Sequence, residues 1–63
     1  MTNLEKVLVE RDGMSETDAH KELETFREET ADYVMNGDLE SLEDALMYDF
    51  GVEPDYIFDV LGF

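Results

Sequence analysis

The sequence contains no cysteine and only four basic residues among its 63 residues. Without cysteine the chain can form neither a disulfide bond nor a thiolate metal site, and its composition fits a reducing compartment. It has no run of about 18 apolar residues, which a transmembrane helix would need. Its first ten residues lack the basic start and apolar core of a signal peptide. These absences predict a cytoplasmic protein that does not span a membrane.

Acidic residues dominate the charge of the chain. Eighteen Asp and Glu against four Lys and Arg give a formal net charge of −14. Residues 1–31 carry nine acids and all four bases (4 − 9 = −5), whereas residues 32–63 carry nine acids and no base (−9). Because phosphate groups are bound by Lys and Arg, this balance argues against direct binding to nucleic acid and to anionic membranes. The favoured partner is a basic protein surface, attracted over a distance that salt would shorten.

One small helical domain is predicted over residues 1–63. A chain of this length buries roughly 60% of its unfolded surface, so its stability should be marginal. High net charge favours disorder. Hydrophobic residues nevertheless make up 43% of the chain and recur with helical periodicity. We therefore predict a chain that folds, either alone or as an oligomer.

The longest predicted element is an amphipathic helix from Ser15 to Asn36. Ser15 is a favourable N-cap residue, and Gly37 supplies a left-handed stop at the other end. Between them, side chains recur at spacings of three and four, which predicts one buried face. That face consists of Ala19, Leu23, Phe26, Thr30, Tyr33 and Val34. We expect the shorter segments of the chain to cover it.

Three shorter helices are predicted around this long one. The first spans residues 2–12, with Thr2 or Asn3 as its cap, and ends at Gly13. The next spans residues 39–50 between an Asp38 cap and a stop at Gly51, and the short connection makes it the antiparallel partner of the long helix. The last begins at Pro54, whose missing N–H costs nothing at a first helical position. The predicted buried faces are Leu4, Val7 and Leu8, then Leu39, Leu42, Leu46 and Phe50, and finally Tyr56, Ile57, Val60 and Leu61. The predicted fold class is all-α, a small compact array of about four helices around a central helical hairpin.

The residue types that carry catalysis are scarce. His20 is the only histidine, and its neighbours at i±4 are Glu16 and Glu24, a pattern typical of pairing along a solvated helix face. The alternating polar residues at 36, 38 and 40 do not continue into a calcium-binding loop, which needs a glycine at its sixth position and a glutamate at its twelfth. A chain this short also offers little room for a sheltered cleft that could raise a carboxyl pKa. We therefore predict no enzymatic activity, no catalytic residue, no metal site and no cofactor.

Several acids stand four residues apart, and each such pair costs about 0.2–0.5 kcal/mol when both lie on one helix. The pairs are Glu24–Glu28, Glu28–Asp32, Glu40–Asp44 and Asp55–Asp59. Three accounts compete for this costly arrangement. Carboxylates one turn apart, at about 5–6 Å, can mimic the phosphates of nucleic acid. Alternatively the charge is an adaptation to high salt, which screens the repulsion, or the chain is a generic acidic adaptor or small structural protein.

Three apolar residues, Met35, Tyr48 and Phe58, fall outside the predicted buried faces. One interpretation makes them ordinary exposed residues, or core residues in a different register. The other makes the two aromatic residues anchors within an acidic contact surface, the composition of a binding hot spot. A homodimer contact is a variant of the second interpretation. The predicted partner-binding residues are Glu28, Asp32, Glu40, Asp44, Tyr48, Asp55, Phe58 and Asp59.

Two segments of the chain are E-R-D-G-M-S at residues 10–15, followed by Ala19, and G-V-E-P-D-Y-I-F-D-V-L at residues 51–61. They resemble parts of short acidic helical proteins found in bacteriophage and bacterial genomes. Proteins of that group run from an R-D-G-M-S turn through a long helix to a G-L-E-P-D-Y-like ending, with Leu where this chain has Val52. The group has no established activity, so the resemblance assigns no functional residue.

The resemblance implies a phage or mobile-element setting. Small, acidic, cysteine-free proteins in that setting often inhibit host nucleic-acid enzymes, as anti-CRISPR and anti-restriction proteins do. The leading prediction is therefore a non-enzymatic nucleic-acid mimic that occupies the basic surface of a nucleic-acid-binding protein. The generic adaptor and the salt-adapted protein stay open as alternatives.

Overall fold

The structure, a computed structural model, describes residues 1–62, and over that range it contains helices and no strand. The helices are α1 Asn3–Asp12, α2 Glu16–Glu29, α3 Ala31–Met35, α4 Leu39–Phe50 and α5 Ile57–Leu61, with a 3₁₀ turn at Pro54–Tyr56 before the last. The predicted all-α class is confirmed. The described part has five helices where about four were predicted, because the predicted long helix is divided into α2 and α3.

Side chains cap the N-termini of the three longer helices, at positions that the sequence predicts. The Thr2 hydroxyl accepts the N–H of Glu5 at 3.1 Å, and the Glu5 carboxylate accepts the N–H of Thr2 at 2.9 Å, which completes a capping box at α1. Ser15 accepts a backbone N–H of α2, and Asp38 one of α4. Gly13 ends α1 at φ +70°, a conformation that costs glycine least. Local chemistry thus fixes most helix ends.

The predicted continuity from Ser15 to Asn36 is wrong, because the helix is interrupted at Thr30. This residue has φ −105° and ψ 9°, and its hydroxyl donates to the carbonyl oxygen of Phe26 at 2.7 Å. Such bonds from Thr back to the preceding turn compete with regular helix geometry. None of the residues of α3 is buried. Tyr33 and Val34, predicted to be buried, are 39% and 41% exposed.

The core is built by α1, α2, α4 and α5. Its buried apolar residues are Leu4, Leu8, Ala19, Leu23, Phe26, Leu42, Leu46, Phe50, Ile57 and Val60. The contact of α1 with α2 is the most extensive between helices, and α2 meets α4 through the rings of Phe26 and Phe50, whose centroids are 5.1 Å apart. Leu39 was predicted in the buried face of α4 but is 46% exposed. It is the first residue of α4, three positions before the first buried one, Leu42.

Two arginines hold the C-terminal ends of helices that lie far from them in the chain. Arg11 donates to the carbonyl oxygens of Phe50 and Gly51 at the end of α4. Arg27 donates to the carbonyl oxygens of Asp59 and Val60 in α5, at 2.7 and 3.0 Å. The last carbonyls of a helix have no partner within it and carry partial negative charge, so a cation there is stabilising. The first two helices therefore supply cationic side chains to the C-terminal carbonyls of α4 and α5.

Candidate functional site

Three of the predicted partner-binding residues form a row on the exposed side of α4. Glu40, Asp44 and Tyr48 are spaced four residues apart, so each lies one helical turn from the next, at about 5–6 Å between Cβ atoms. All three are exposed, and Tyr48, whose exposure the sequence leaves open, is 91% exposed. The row presents two carboxylates and one aromatic ring to solvent. We call it the α4 row.

No basic side chain accompanies the α4 row along the chain. Residues 28–63 contain no Lys or Arg. Within residues 1–62, the side-chain ion pairs all lie between residues 5 and 27, including Arg11 with Asp12 and Arg27 with Glu24. The hydrogen bonds between the side chains of Arg11 and Asp12, aided by their opposite charges and opposed by burial, raise the pKa of the guanidinium and lower the pKa of the carboxyl. The carboxylates of the α4 row have no comparable pairing.

Glu28 and Asp32 are both exposed but do not lie on one continuous helix. Glu28 belongs to α2 and Asp32 to α3, and the interruption at Thr30 separates them. The expectation that they form an i,i+4 pair on a single helix is therefore wrong. They remain two separate carboxylates on either side of the break.

Three further predicted residues, Asp55, Phe58 and Asp59, line an open groove between α1 and the C-terminal segment. The groove has a volume of about 600 Å³, and its other lining residues are Asn3, Lys6, Val7, Glu10, Glu53 and Tyr56. Asp55 is exposed and Phe58 is 56% exposed, whereas Asp59 is half-buried. The structure thus brings these three together, although it gives Asp59 a further role.

Asp59 holds the start of α1. Its Oδ2 accepts the backbone N–H of Leu4 at 2.9 Å. Leu4 lies in the first turn of α1, where backbone N–H groups have no partner within the helix and a negative charge complements the dipole. The contact ties α5 to α1 across 55 positions of the chain. The sequence does not predict it, because no local pattern joins residues so far apart.

Glu5 is a buried acid that the sequence does not single out. It is 6% exposed and lies 3.0 Å from Nδ1 of His20. The backbone N–H of Thr2 is the largest cause of its lowered pKa. The Thr2 hydroxyl and His20 add to that lowering, while burial opposes it. His20 was predicted to pair along its own helix, but its closer acid is Glu5 of α1, whereas its Nε2 is 4.0 Å from Glu24.

A second groove, between α3 and α5, is apolar. It has a volume of about 270 Å³ and is lined by Arg27, Ala31, Val34, Met35, Val60 and Leu61. Met35, one of the three apolar residues that fit no predicted buried face, is 83% exposed here. The sequence leaves its exposure open and does not predict the groove, because the interruption at Thr30 is not predicted. We call this groove the α3–α5 groove.

Two further features of the described residues concern possible metal ligands and possible membrane-spanning helices. Across residues 1–62, no three His, Cys, Asp or Glu side chains are grouped so that they could hold a metal ion. No helix in that range is both long and apolar enough to cross a membrane. Comparisons with protein-family models, with curated proteins and with solved structures gave no match to this chain. The exposed residues of the chain are therefore the basis of the proposed function.

Proposed function

We propose that this chain is a non-enzymatic acidic binding module that occupies a basic, nucleic-acid-binding surface of another protein. The observation that carries the proposal is the α4 row. Its two carboxylates, Glu40 and Asp44, lie one helical turn apart, a spacing comparable with that of successive phosphates on a strand. Tyr48 continues the row with an exposed ring, the type of side chain that often dominates the energy of a contact.

The charge around the α4 row supports the same proposal. Residues 38–50 contain five acids and no base. Two of the four bases of the chain, Arg11 and Arg27, donate hydrogen bonds to backbone carbonyls of its own later helices. An approaching basic surface therefore meets an excess of negative charge along α4, which accelerates association and disfavours acidic partners.

The resemblance to short acidic phage and bacterial proteins supports a narrower proposal. In that setting the module acts in the cytoplasm as an inhibitor of a host nucleic-acid enzyme, of the anti-CRISPR or anti-restriction kind. The inhibitor competes with DNA or RNA for one basic channel, so binding of the two is mutually exclusive.

The experiment that tests the proposal is capture of partners from a bacterial host lysate on the tagged protein at low salt. A salt gradient then elutes them, with and without added DNA or RNA. We expect a nucleic-acid-binding protein that moderate salt releases and that nucleic acid displaces. A partner retained against excess DNA and RNA would contradict the proposal.

A matched pair of variants separates the α4 row from net charge. Reversing Glu40 and Asp44 to Lys changes the net charge by +4, as does reversing Glu22 and Glu29 of α2. We expect the α4 variant to lose capture of the partner and the α2 variant to keep most of it. Circular dichroism controls for the helical content of both. Equal losses would show that overall charge, and not the α4 row, governs binding.

A generic acidic adaptor is the second candidate function, and exposed apolar side chains favour it. Tyr33, Val34 and Met35 of α3 are 39–83% exposed, although imitation of phosphates needs no apolar surface there. An adaptor predicts a partner whose contact surface does not bind nucleic acid. The competition step of the capture experiment separates the two candidates.

A further inference from the structure

We infer that the α3–α5 groove is a docking site for a basic segment of the partner that inserts an apolar side chain into it. One wall is a single face of α3, since Ala31, Val34 and Met35 are spaced i, i+3 and i+4. The opposite wall is formed by Val60 and Leu61 of α5. The inference deepens the proposed function and rests on it for the basic character of the partner.

Arg27 lines this groove without making it a site for anions. Its Nε donates to the carbonyl oxygen of Val60 at 3.0 Å, and its Nη1 to Oε1 of Glu24 at 2.7 Å. Its Nη2 donates to the carbonyl oxygen of Asp59 at 2.7 Å. Three of its five N–H groups already have acceptors and Glu24 offsets its charge, so the aliphatic stem is the main surface that Arg27 offers to an occupant. The groove therefore has apolar walls, and Glu24 together with two backbone carbonyls of α5 offsets the charge of Arg27.

The wall formed by α3 is not used by the core. None of the residues of this five-residue helix is buried, and Met35 is 83% exposed. A helix this short is not stable by itself, since most helical stability in proteins comes from packing. Single exposed apolar residues are ordinary, but a concave apolar surface is typical of a binding site. An apolar side chain placed between α3 and α5 would bury both walls.

Charge complementarity selects the occupant. Glu24 contacts Arg27 in the groove, and Glu28 and Asp32 directly follow the lining residues Arg27 and Ala31 in the chain. No base after Arg27 offsets them. A segment with Lys or Arg beside its apolar residue is therefore attracted. A second copy of this chain, at −14, is repelled.

The probe for this inference is a fluorescent amphipathic leucine–lysine peptide, with an alanine–lysine peptide of the same length and charge as its control. Fluorescence anisotropy at physiological salt measures the binding of each. The protein variants are Met35→Ser in the groove, the matched Met47→Ser on α4, and Tyr48→Ser in the α4 row. Met47 is 39% exposed and does not line the groove. Circular dichroism verifies that each variant is folded.

We expect the leucine peptide to bind more tightly than the alanine peptide, and Met35→Ser to weaken the leucine peptide about tenfold. Met47→Ser should leave its affinity unchanged. Equal affinity for the two peptides would overturn the inference, as would a loss in Tyr48→Ser without one in Met35→Ser. That last result would still agree with the proposed function, because it places the contact on the α4 row.

Self-association is the remaining alternative, and sedimentation of the protein without peptide tests it. We expect a monomer at all concentrations used. A dimer that Met35→Ser dissociates would make a second copy the occupant of the groove and would overturn the inference. The capture experiment with the Glu40 and Asp44 reversals is independent of both results. Its failure would contradict the proposed function, whereas failure of the peptide experiment would contradict only the inference about the groove.

Discussion

Residues 1–30 and residues 31–62 are both helical, but different interactions hold them. The first region contains α1 and α2, the helix pair with the most extensive contact, together with every side-chain ion pair of the described residues. The second region contains α4 and two helices of five residues, neither of which has a side-chain cap. It also contains no base. The second region therefore receives its contacts with cationic side chains from the first region.

The two regions show how one small chain can keep the α4 row free of bases and still fold. A Lys within α4 would relieve repulsion but would also neutralise the α4 row. Instead, Arg11 and Arg27 reach across from the first region and bond to carbonyls of α4 and α5. The cations that hold these helix ends thus come from the first region, and the α4 row itself contains none.

The largest effect is expected from removing a core side chain of α4. Leu46 is fully buried, whereas Leu39 of the same helix is 46% exposed. Leu46→Ala should lower the free energy of unfolding by about 2–5 kcal/mol, because it leaves a cavity, and Leu39→Ala by about 0.5 kcal/mol or less. Urea unfolding followed by circular dichroism measures both. Similar losses would show that the first turn of α4 is as well packed as its centre.

A smaller but more local effect is expected at the link between the regions. Arg27→Ala removes three hydrogen bonds, two of them to carbonyls of α5. We expect a loss of about 1–3 kcal/mol in the free energy of unfolding. Faster amide hydrogen exchange should appear in α5 before it appears in α1. Lys21→Ala, which removes an exposed base from the same helix, is the control. Uniform acceleration of exchange across the chain would contradict a local role.

Hydrogen-bonding groups close in sequence made most helix ends predictable. Thr2, Ser15 and Asp38 were expected as caps and form them. Gly13 and Gly51 were expected as stops and adopt positive φ. Each of these depends on contacts within a few residues, which a sequence pattern captures. The all-α class followed for the same reason.

The sequence could not predict what depends on distant neighbours. Periodicity places Tyr33, Val34 and Leu39 on apolar faces, but it does not say whether another helix covers those faces. Periodicity also does not predict that the Thr30 hydroxyl donates to a carbonyl of the preceding turn, where the helix is interrupted. The hydrogen bond from Leu4 to Asp59 joins residues 55 apart, so Asp59 was predicted only as a partner-binding acid. The α4 row was predictable because it lies within one helix.

Asp59 and Asp55 give a matched test of structural against exposed acids. Asp59→Asn replaces the carboxylate that accepts the Leu4 N–H, and we expect a loss of about 1 kcal/mol in the free energy of unfolding. Asp55→Asn, on an exposed residue of the same groove, should change it by about 0.5 kcal/mol or less. Thermal unfolding of the two variants measures the difference. Equal stability would show that the negative charge of Asp59 adds nothing to its bond with α1, because the amide oxygen of Asn can still accept the Leu4 N–H.

The smallest effect is a pH dependence inside the first region. The pKa of Glu5 is lowered from its ordinary value of 4.5, mainly by the Thr2 N–H. Its ionised form therefore stabilises the fold above pH 4.5, and this contribution is lost as the pH falls through the lowered pKa. Glu5→Gln should be less stable than the native chain at neutral pH.

The pH dependence of the free energy of unfolding of the native chain does not isolate this contribution, because acidification also relieves the repulsion among the other acids. The difference between the native chain and Glu5→Gln isolates it, since both share that relief. We expect this difference in the free energy of unfolding to shrink below pH 4.5, whereas Glu10→Gln, on an exposed acid of the same helix, should differ little at any pH. A difference for Glu5→Gln that stays constant from neutral to acidic pH would mean that its loss comes from altered packing. The buried acid would then stabilise α1 through its shape and hydrogen bonds rather than through its charge.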